Sequence, residues 1–228
     1  MPLSRENRKF PLPVFLDVNG RKCLVVGGGA VASRKISDLI ECGGNVVVVD
    51  GKPLPGIERL HEDGGIRLLR REFRPEDLDG AFLVYAATGD ESVNVEISRL
   101  AQERGIPVNA VDSPGHCTFI SGAVAKRGPL RIAVSTSGAF PAIAGSIRRE
   151  LEEAYDESYG EYVAAAGEMR RFVLDDDTID RHKIPELLEW LADGEALRLF
   201  RESGEDAVWN RLRRKISSSP ASRTKQRR

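Results

Sequence analysis

The amino-acid sequence predicts a doubly wound α/β domain with a parallel sheet, followed by an antiparallel hairpin and a small all-helical C-terminal domain. The first half of the chain alternates apolar runs with stretches of helical spacing, which is typical of a parallel sheet covered on both faces. Two strand-like stretches then follow each other without a helix between them. From Pro141 onward the sequence has helical character.

Five buried strands are predicted within the first domain, over roughly residues 12 to 112. They are the runs CLVV, NVVVVD, GIRLLRREF, AFLVYAAT and IPVNAV. Between the first two, AVASRKISDLIECGG has apolar residues near helical spacing and ends at a glycine pair suited to a helix C-cap. Between the last two, DESVNVEISRLAQERG predicts a helix with an acidic start and a terminal glycine.

The hairpin is predicted from Thr118 to Ala125 and from Leu130 to Thr136, joined by the turn sequence KRGP. A lone hairpin is only marginally stable, so we expect it to pair with a second subunit. The predicted partition is a nucleotide-binding domain (1–112), a dimerisation region (113–150), a helical domain (151–216) and a polar, basic, disordered tail (217–228).

Composition and charge narrow the class of protein. A formal net charge of −1 over 228 residues argues against a general nucleic-acid binder. The three cysteines lack the spacing of a disulfide framework or a metal site. No apolar run is long enough for a membrane span, and the charged, proline-broken N-terminus lacks the features of a signal peptide. We therefore expect a cytoplasmic protein without membrane or nucleic-acid partners.

A glycine-rich turn follows the first predicted strand. The sequence GGGAVA, from Gly27 to Ala32, fits the pattern G-x-G-x-x-G/A between a buried strand and a helix. Gly27 would permit a tight turn and Gly29 the close approach of a pyrophosphate, which the helix N-terminus would bind. The alternative is a glycine-rich turn that binds no ligand.

Asp50 ends the second strand, about 20 residues after the turn, where a dinucleotide-binding (Rossmann) domain has an acid for a ribose 2′-hydroxyl. This acid would repel a 2′-phosphate, so NAD is predicted over NADP. Thr88 and Gly89 follow the fourth strand, at the edge where ligands bind, and Asp90 is suited to cap the next helix. The predicted cofactor-binding residues are Gly27, Gly28, Gly29, Ala30, Val31, Asp50, Thr88 and Gly89.

Three longer segments resemble the siroheme-synthase family. They are PVFLDVNGRKCLVVGGGAVASRK, YAATGDESVN and VNAVDSPGHCTFISGAVAKRGPLRIAVSTSGAFPAIAGSIRREL. The resemblance runs from about Pro13 to Leu151, and it includes the VVGGGxVAxRK turn, an N-x-x-D segment and an S-T-S-G-x-x-P segment in the family's order.

The resemblance implies an NAD-dependent precorrin-2 dehydrogenase that forms sirohydrochlorin and acts as a homodimer. It also implies an NAD-binding domain, a central dimerisation region and a helical C-terminal domain. Some members of the family insert Fe²⁺ to give siroheme, and the sequence leaves open whether this chain does. The methyltransferase domain fused to some members is not expected, because the chain ends too soon.

Asp112 is the first candidate for catalysis. It matches the aspartate that the family uses in its N-V-x-D segment. Independently of the resemblance, it follows the fifth strand, so we expect a partly buried carboxylate at the ligand crevice that could act as a base. The residues alone leave open that Asp112 only caps the turn before Pro114.

His116 and Thr136 are further candidates for catalysis. His116 lies one turn beyond Asp112, although a lone histidine is more often structural or solvated. The resemblance matches the family's functional serine to Thr136, with Ser135 and Ser137 beside it as candidates for substrate binding. The alternative is that the hydroxyl side chains of this segment form turns.

Arg34 and Lys35 are predicted to bind substrate, because the tetrapyrrole that the resemblance implies carries several carboxylates. The alternative is a solvated helix face, and the clusters Lys126-Arg127 and Arg148-Arg149 are left undecided. Two other functions remain open at this point. One is a non-catalytic NAD-sensing module, which needs Asp50 but not Asp112, and the other is a chelatase that has lost dehydrogenation and does not bind NAD.

Overall fold

The computed structural model describes residues 10–218, which belong to two compact units. The first unit extends to Ser121 and also contains Ser137–Ala139, and the second contains Gly122–Thr136 and the chain from Phe140 onward. The last helix ends at Ser217. The rest of the predicted tail, from residue 219, lies outside the described residues, as do residues 1–9 of the first predicted domain.

The first unit is built on a five-stranded parallel sheet. Its elements are β1 (Lys22–Val26), α1 (Ala30–Glu41), β2 (Asn45–Val49), α2 (Pro55–Glu62), β3 (Arg67–Leu69), β4 (Leu83–Ala86), α3 (Glu91–Glu103) and β5 (Val108–Ala110), with short 3₁₀ helices at Pro75–Leu78 and Pro114–His116. The strand order is β3-β2-β1-β4-β5, and every pair is parallel. The predicted doubly wound sheet is confirmed.

Alternate residues of each central strand enter separate apolar cores, because successive side chains of a strand point to opposite faces. Cys23 and Val25 of β1 pack with one core, which includes Ile36 of α1. Leu24 of β1 packs with the other, which includes Ile97 of α3. Both faces of the sheet are therefore covered, which leaves the carboxyl ends of its strands as the edge where ligands bind in such folds.

The second unit combines an antiparallel hairpin with helices. Its elements are β6 (Ala123–Arg127), β7 (Leu130–Val134), α4 (Pro141–Ala154), α5 (Glu157–Asp175), α6 (Ile184–Ala192), α7 (Gly194–Ser203) and α8 (Glu205–Ser217). An apolar core joins α5, α6, α7 and α8, with Met169, Val208 and Leu212 fully buried. Across residues 10–218, no helix is long and apolar enough to cross a bilayer.

The first hairpin strand begins at Ala123 rather than at the predicted Thr118. The reason is a pair of hydrogen bonds that tie the preceding segment to β5. The Thr118 N–H donates to the Val108 carbonyl (2.8 Å), and the Val108 N–H donates to Thr118 Oγ1 (2.8 Å). Thr118 therefore pairs with β5 outside any regular strand, and the hairpin starts only at Ala123.

Candidate functional site

In the glycine turn between β1 and α1, the backbone lies in close contact with the backbone of neighbouring loops. Gly27 has a φ of +118°, and a Cβ at this position would lie 2.2 Å from the Ala87 carbonyl oxygen. A Cβ on Gly28 would lie 2.7 Å from the Cα of Pro53. Only glycine fits at these two positions, because any side chain would overlap backbone atoms of neighbouring loops.

Gly29 is different, since a Cβ built there would meet nothing within 4 Å. This residue is the N-cap of α1, and no side chain caps the helix. The first N–H groups of a helix have no partner within it, so Ala30 and Val31 present donors to the open space beside Gly29. Open space in front of free N–H groups and the positive end of a helix dipole is a cradle for a phosphate.

The Asp50 carboxylate lies against the same turn. A Cβ on Gly28 would approach its Cγ to 2.9 Å, and its Oδ1 accepts a hydrogen bond from the Lys52 N–H (2.6 Å). The side chain is half-buried, directly after β2. An acceptor held beside a phosphate cradle suits the hydroxyls of a ribose, so the residues of this turn fit a dinucleotide.

Thr88, beyond β4, is held by a buried residue that the sequence analysis missed. Both the Thr88 N–H and its hydroxyl lie within hydrogen-bond distance of Asn94 Oδ1 (3.1 and 2.7 Å), and Asn94 Nδ2 donates to the Thr88 carbonyl (3.2 Å). Asn94 is only 3% exposed. Asp90 caps α3, as its position suggests, because its carboxylate accepts the Ser92 N–H (2.8 Å). Hydrogen bonds from the Ser92 side chain and backbone lower the pKa of Asp90.

A pocket of about 140 Å³ lies where the chain leaves β4 and β5. It combines the loop after β4, the start of α3 and the turn after β5. Its lining residues are Thr88, Gly89, Glu91, Asn94, Val111, Asp112 and Ser113. The pocket therefore contains the predicted cofactor residues Thr88 and Gly89 together with the predicted catalytic residue Asp112.

Asp112 is exposed, so the expectation of a partly buried carboxylate was wrong. The turn that carries it is closed by the Ser113 N–H, which donates to the Ala110 carbonyl (3.2 Å). This geometry turns Asp112 outward and gives it a φ of +60°, a region that residues other than glycine, asparagine and aspartate rarely adopt. The neighbouring residue Ser113 is buried instead.

His116 and Cys117 hold the loop beyond this turn. The His116 N–H donates to the Ser113 carbonyl (2.9 Å), and the His116 carbonyl accepts the hydroxyl of Ser98 on α3. The Cys117 thiol donates to the Ala110 carbonyl (3.1 Å). The two bonds of His116 are made by its backbone, so a catalytic role of its half-buried imidazole stays a prediction. Within the described ranges, no three His, Cys, Asp or Glu side chains are grouped to hold a metal.

Arg34 and Lys35 do not act as one cluster. Arg34 is exposed on α1, whereas Lys35 is half-buried, with its Nζ 5.5 Å from the centroid of the Tyr85 ring. Burial lowers the pKa of Lys35. The Tyr85 hydroxyl is itself hydrogen-bonded to Ser121 Oγ (2.8 Å). Of the pair, Arg34 is the cation more accessible to an anionic ligand.

The residues of the STSG segment have local roles in the structure. Thr136 Oγ1 accepts the Phe140 N–H (3.2 Å) just before α4, and Ser137 has a φ of +54°. These features are those of a turn, and the functional roles of Ser135, Thr136 and Ser137 stay predictions.

The two undecided basic clusters each contain an ion pair. Arg127 pairs with Glu157 (3.4 Å) and Arg148 with Glu152 (2.5 Å).

The parallel sheet, the glycine turn at its central strand and the acid after β2 define a dinucleotide-binding domain of the Rossmann type. Comparison with protein families agrees. Residues 14–123 match a family described as putative NAD(P)-binding, and residues 127–154 match the central region of sirohaem biosynthesis proteins. The prediction of an NAD-binding domain is confirmed by this family match.

Individual relatives identify the family. The chain is 46% identical over 162 residues to a siroheme synthase of Methylobacillus flagellatus and 42% identical over 177 residues to one of Pseudomonas aeruginosa. These matches cover 71% and 78% of the chain, but only 35% and 36% of the relatives. A solved structure named SirC, precorrin-2 dehydrogenase, is 28% identical with a TM-score of 0.75, and the match covers 90% of this chain and all of that one. The chain belongs to the siroheme-synthase family.

Proposed function

We propose that this protein oxidises precorrin-2 to sirohydrochlorin with NAD⁺. The proposal rests on one observation: the phosphate cradle and a pocket lined by carboxylates lie at the same edge of the sheet. The cradle at Gly29 follows β1, Asp50 follows β2, and the pocket with Asp112 follows β4 and β5. The name of the similar solved structure, a precorrin-2 dehydrogenase, supports the choice of substrate.

The preference for NAD⁺ over NADP⁺ rests on Asp50. Its carboxylate lies beside the glycine turn, where it can accept a hydrogen bond from a ribose hydroxyl and would repel a 2′-phosphate. The only cation near it in sequence is Lys52, whose backbone N–H, rather than its ammonium, contacts the carboxylate.

Asp112 is the proposed base. When bound, NAD⁺ supplies the hydride acceptor. Oxidation of precorrin-2 removes two hydrogens, one as this hydride and one as a proton, so the products are sirohydrochlorin, NADH and H⁺. A carboxylate oxygen of Asp112 would accept the proton and, because the side chain is exposed, return it to water.

Arg34 is the proposed contact for a substrate carboxylate. It is exposed on α1, in the same unit as the glycine turn, and a guanidinium can bind a carboxylate through two parallel hydrogen bonds. Lys35 is the weaker candidate, because it is half-buried against Tyr85.

The deciding experiment is an anaerobic assay with purified protein, precorrin-2 and NAD⁺, followed by absorbance of sirohydrochlorin and NADH. We expect both products in equal amounts, and less with NADP⁺. Fe²⁺ is added after the first phase, and a spectral change faster than the protein-free rate would extend the proposal to siroheme formation. NAD⁺ binding without oxidation would favour the sensing module, and metal insertion without NAD⁺ binding would favour a chelatase.

We further propose that the active protein is a homodimer formed through the second unit. Ile143 and Ile147 lie one turn apart on α4 and are 45% and 36% exposed. Apolar side chains repeated on one helix face suit a helix that packs against a partner. Sedimentation should give a dimer for the wild type and for the control Arg149→Glu, and a monomer for Ile147→Glu. A dimer in all three would exclude this face.

A further inference from the structure

Ser113 lies in the pocket beside Asp112, and its hydroxyl is unsatisfied. The residue is 6% exposed, and Ser113 Oγ has no hydrogen-bond partner. Buried polar groups in proteins are nearly always paired, because an unpaired one loses its hydrogen bonds to water without compensation. Ser113 lines the pocket, although its hydroxyl oxygen is itself covered. A rotation about χ1 would bring the hydroxyl to a ligand in the pocket, which would supply the missing partner.

The size of the pocket limits what that ligand group can be. A volume of about 140 Å³ corresponds to about four or five water molecules at roughly 30 Å³ each. This is room for one small ring with a substituent, and too little for a tetrapyrrole macrocycle. The pocket can therefore take one ring of the cofactor or a carboxylate side chain of the substrate, but not the macrocycle itself.

The order of the strands indicates which part of the cofactor reaches this pocket. A dinucleotide lies across the carboxyl ends of the strands, with one ribose on the acid after β2 and the pyrophosphate at the first turn. Asp50 and Gly29 fix these two points. The other nucleoside then extends to the opposite side of β1, where the sheet order places β4 and β5.

We propose that Ser113 recognises the carboxamide of the nicotinamide ring. A serine hydroxyl can donate to the carboxamide oxygen or accept from its NH₂ group. The backbone of the turn supports this assignment. The Ser113 N–H donates to the Ala110 carbonyl, and the Ser113 carbonyl accepts the His116 N–H. These bonds fix the residue at the pocket, so only its side chain is left to rotate. Ser113 is a positioning residue, and the assignment rests on the proposed dinucleotide function.

The test compares NAD⁺ with ADP-ribose, which has the same pyrophosphate and adenosine but no nicotinamide. Isothermal titration with Ser113→Ala should show NAD⁺ bound about fivefold more weakly, the contribution of one neutral hydrogen bond, with ADP-ribose affinity unchanged. Because the hydroxyl is unpaired in the free protein, the urea midpoint of Ser113→Ala should equal or exceed that of the wild type.

Ser98→Ala is the matched control. Ser98 is also buried, but its hydroxyl donates to the His116 carbonyl and accepts from Gln102 Nε2 (2.8 Å). This variant should lose stability and keep the wild-type ratio of NAD⁺ to ADP-ribose affinity.

An unchanged ratio in Ser113→Ala, or a loss of stability in it, would overturn the assignment of Ser113 alone. Failure of the wild-type protein to bind either ligand would overturn the proposed cofactor and this assignment together.

Discussion

The two ends of the candidate ligand-binding edge differ in the groups that they present. The β1–α1 end presents backbone, whereas the β5 end presents side chains. Gly27 and Gly28 lie so close to neighbouring loops that no Cβ fits, and the donors offered there are N–H groups of a helix. At the other end Asp112 is exposed, and the hydroxyl of the buried Ser113 has no hydrogen-bond partner. Rigid, closely packed backbone thus suits the binding of the pyrophosphate, which does not react. Side chains without hydrogen-bond partners suit the binding of the reacting group.

The largest expected effect is that of Gly27→Ala on stability. The new Cβ would overlap the Ala87 carbonyl at a positive φ, so we expect a loss of about 4 kcal/mol in the free energy of unfolding. Urea unfolding measures it. Gly51→Ala is the control, since a Cβ there meets nothing within 4 Å, and it should change stability by less than about 0.5 kcal/mol. Equal effects in the two variants would show that the turn is not tightly packed.

Gly29→Asp should separate binding from folding within the same turn. The aspartate has open space and can cap α1, so stability should be unchanged or increase. Its charge would face the pyrophosphate, which should weaken NAD⁺ binding by about 3 kcal/mol, slightly more than a hundredfold. Titration calorimetry measures the affinity, and Gly29→Asn supplies the control with a cap but no charge. Tight NAD⁺ binding by Gly29→Asp would mean that the cofactor does not use this cradle.

Asp112→Asn should act on turnover alone. Asparagine tolerates the positive φ of this position, so the turn should be preserved, and loss of a general base lowers the rate by about a hundredfold or more. Steady-state kinetics should show a lower kcat with nearly unchanged affinity for NAD⁺. The same kcat as the wild type would leave Asp112 with only its role in the turn.

The smallest expected effect concerns Cys23, which lies near the start of β1 and so at the other end of this strand from the glycine turn. Burial, with a smaller contribution from Cys42, raises the pKa of the Cys23 thiol from 9.0 to about 11. Below about pH 9 both folded and unfolded chains keep this proton, whereas between pH 9 and 11 the unfolded chain loses it first, so stability should fall as pH rises. Urea midpoints at pH 8 and pH 10.5 should differ more in the wild type than in Cys23→Ala. The control Cys42→Ala should still show most of the difference.

The sequence predicts the glycine-turn end better than the β5 end, for a physical reason. The proposed roles of Gly27, Gly29 and Asp50 depend on backbone geometry and strand position, both of which are visible in the sequence as local patterns and spacing. Asn94 was missed because an asparagine within an amphipathic helix usually faces water, and only the tertiary fold brings its amide to Thr88. The pattern alone cannot show which side chains a turn will bury.

The turn after β5 illustrates this limit. Asp112 was expected to be partly buried and is exposed, whereas its neighbour Ser113, to which the sequence drew no attention, is buried in the pocket. A single hydrogen bond, from the Ser113 N–H to the Ala110 carbonyl, helps set which of the two faces inward. The late start of β6 has a similar origin, because side-chain and backbone bonds of Thr118 to Val108 compete with strand pairing.

The buried position of Cys117 allows thiol modification to measure how often the turn after β5 opens. Its thiol is buried under the β5 turn, hydrogen-bonded to the Ala110 carbonyl, while Cys42 is exposed. An alkylating reagent should therefore modify Cys42 at once and Cys117 only when the turn opens. Peptide mass spectrometry distinguishes Cys117 from Cys23, which is also buried. The rate at which Cys117 is modified would record the opening of the pocket in solution, and its slowing by NAD⁺ would show the turn closing on its ligand without any engineered label.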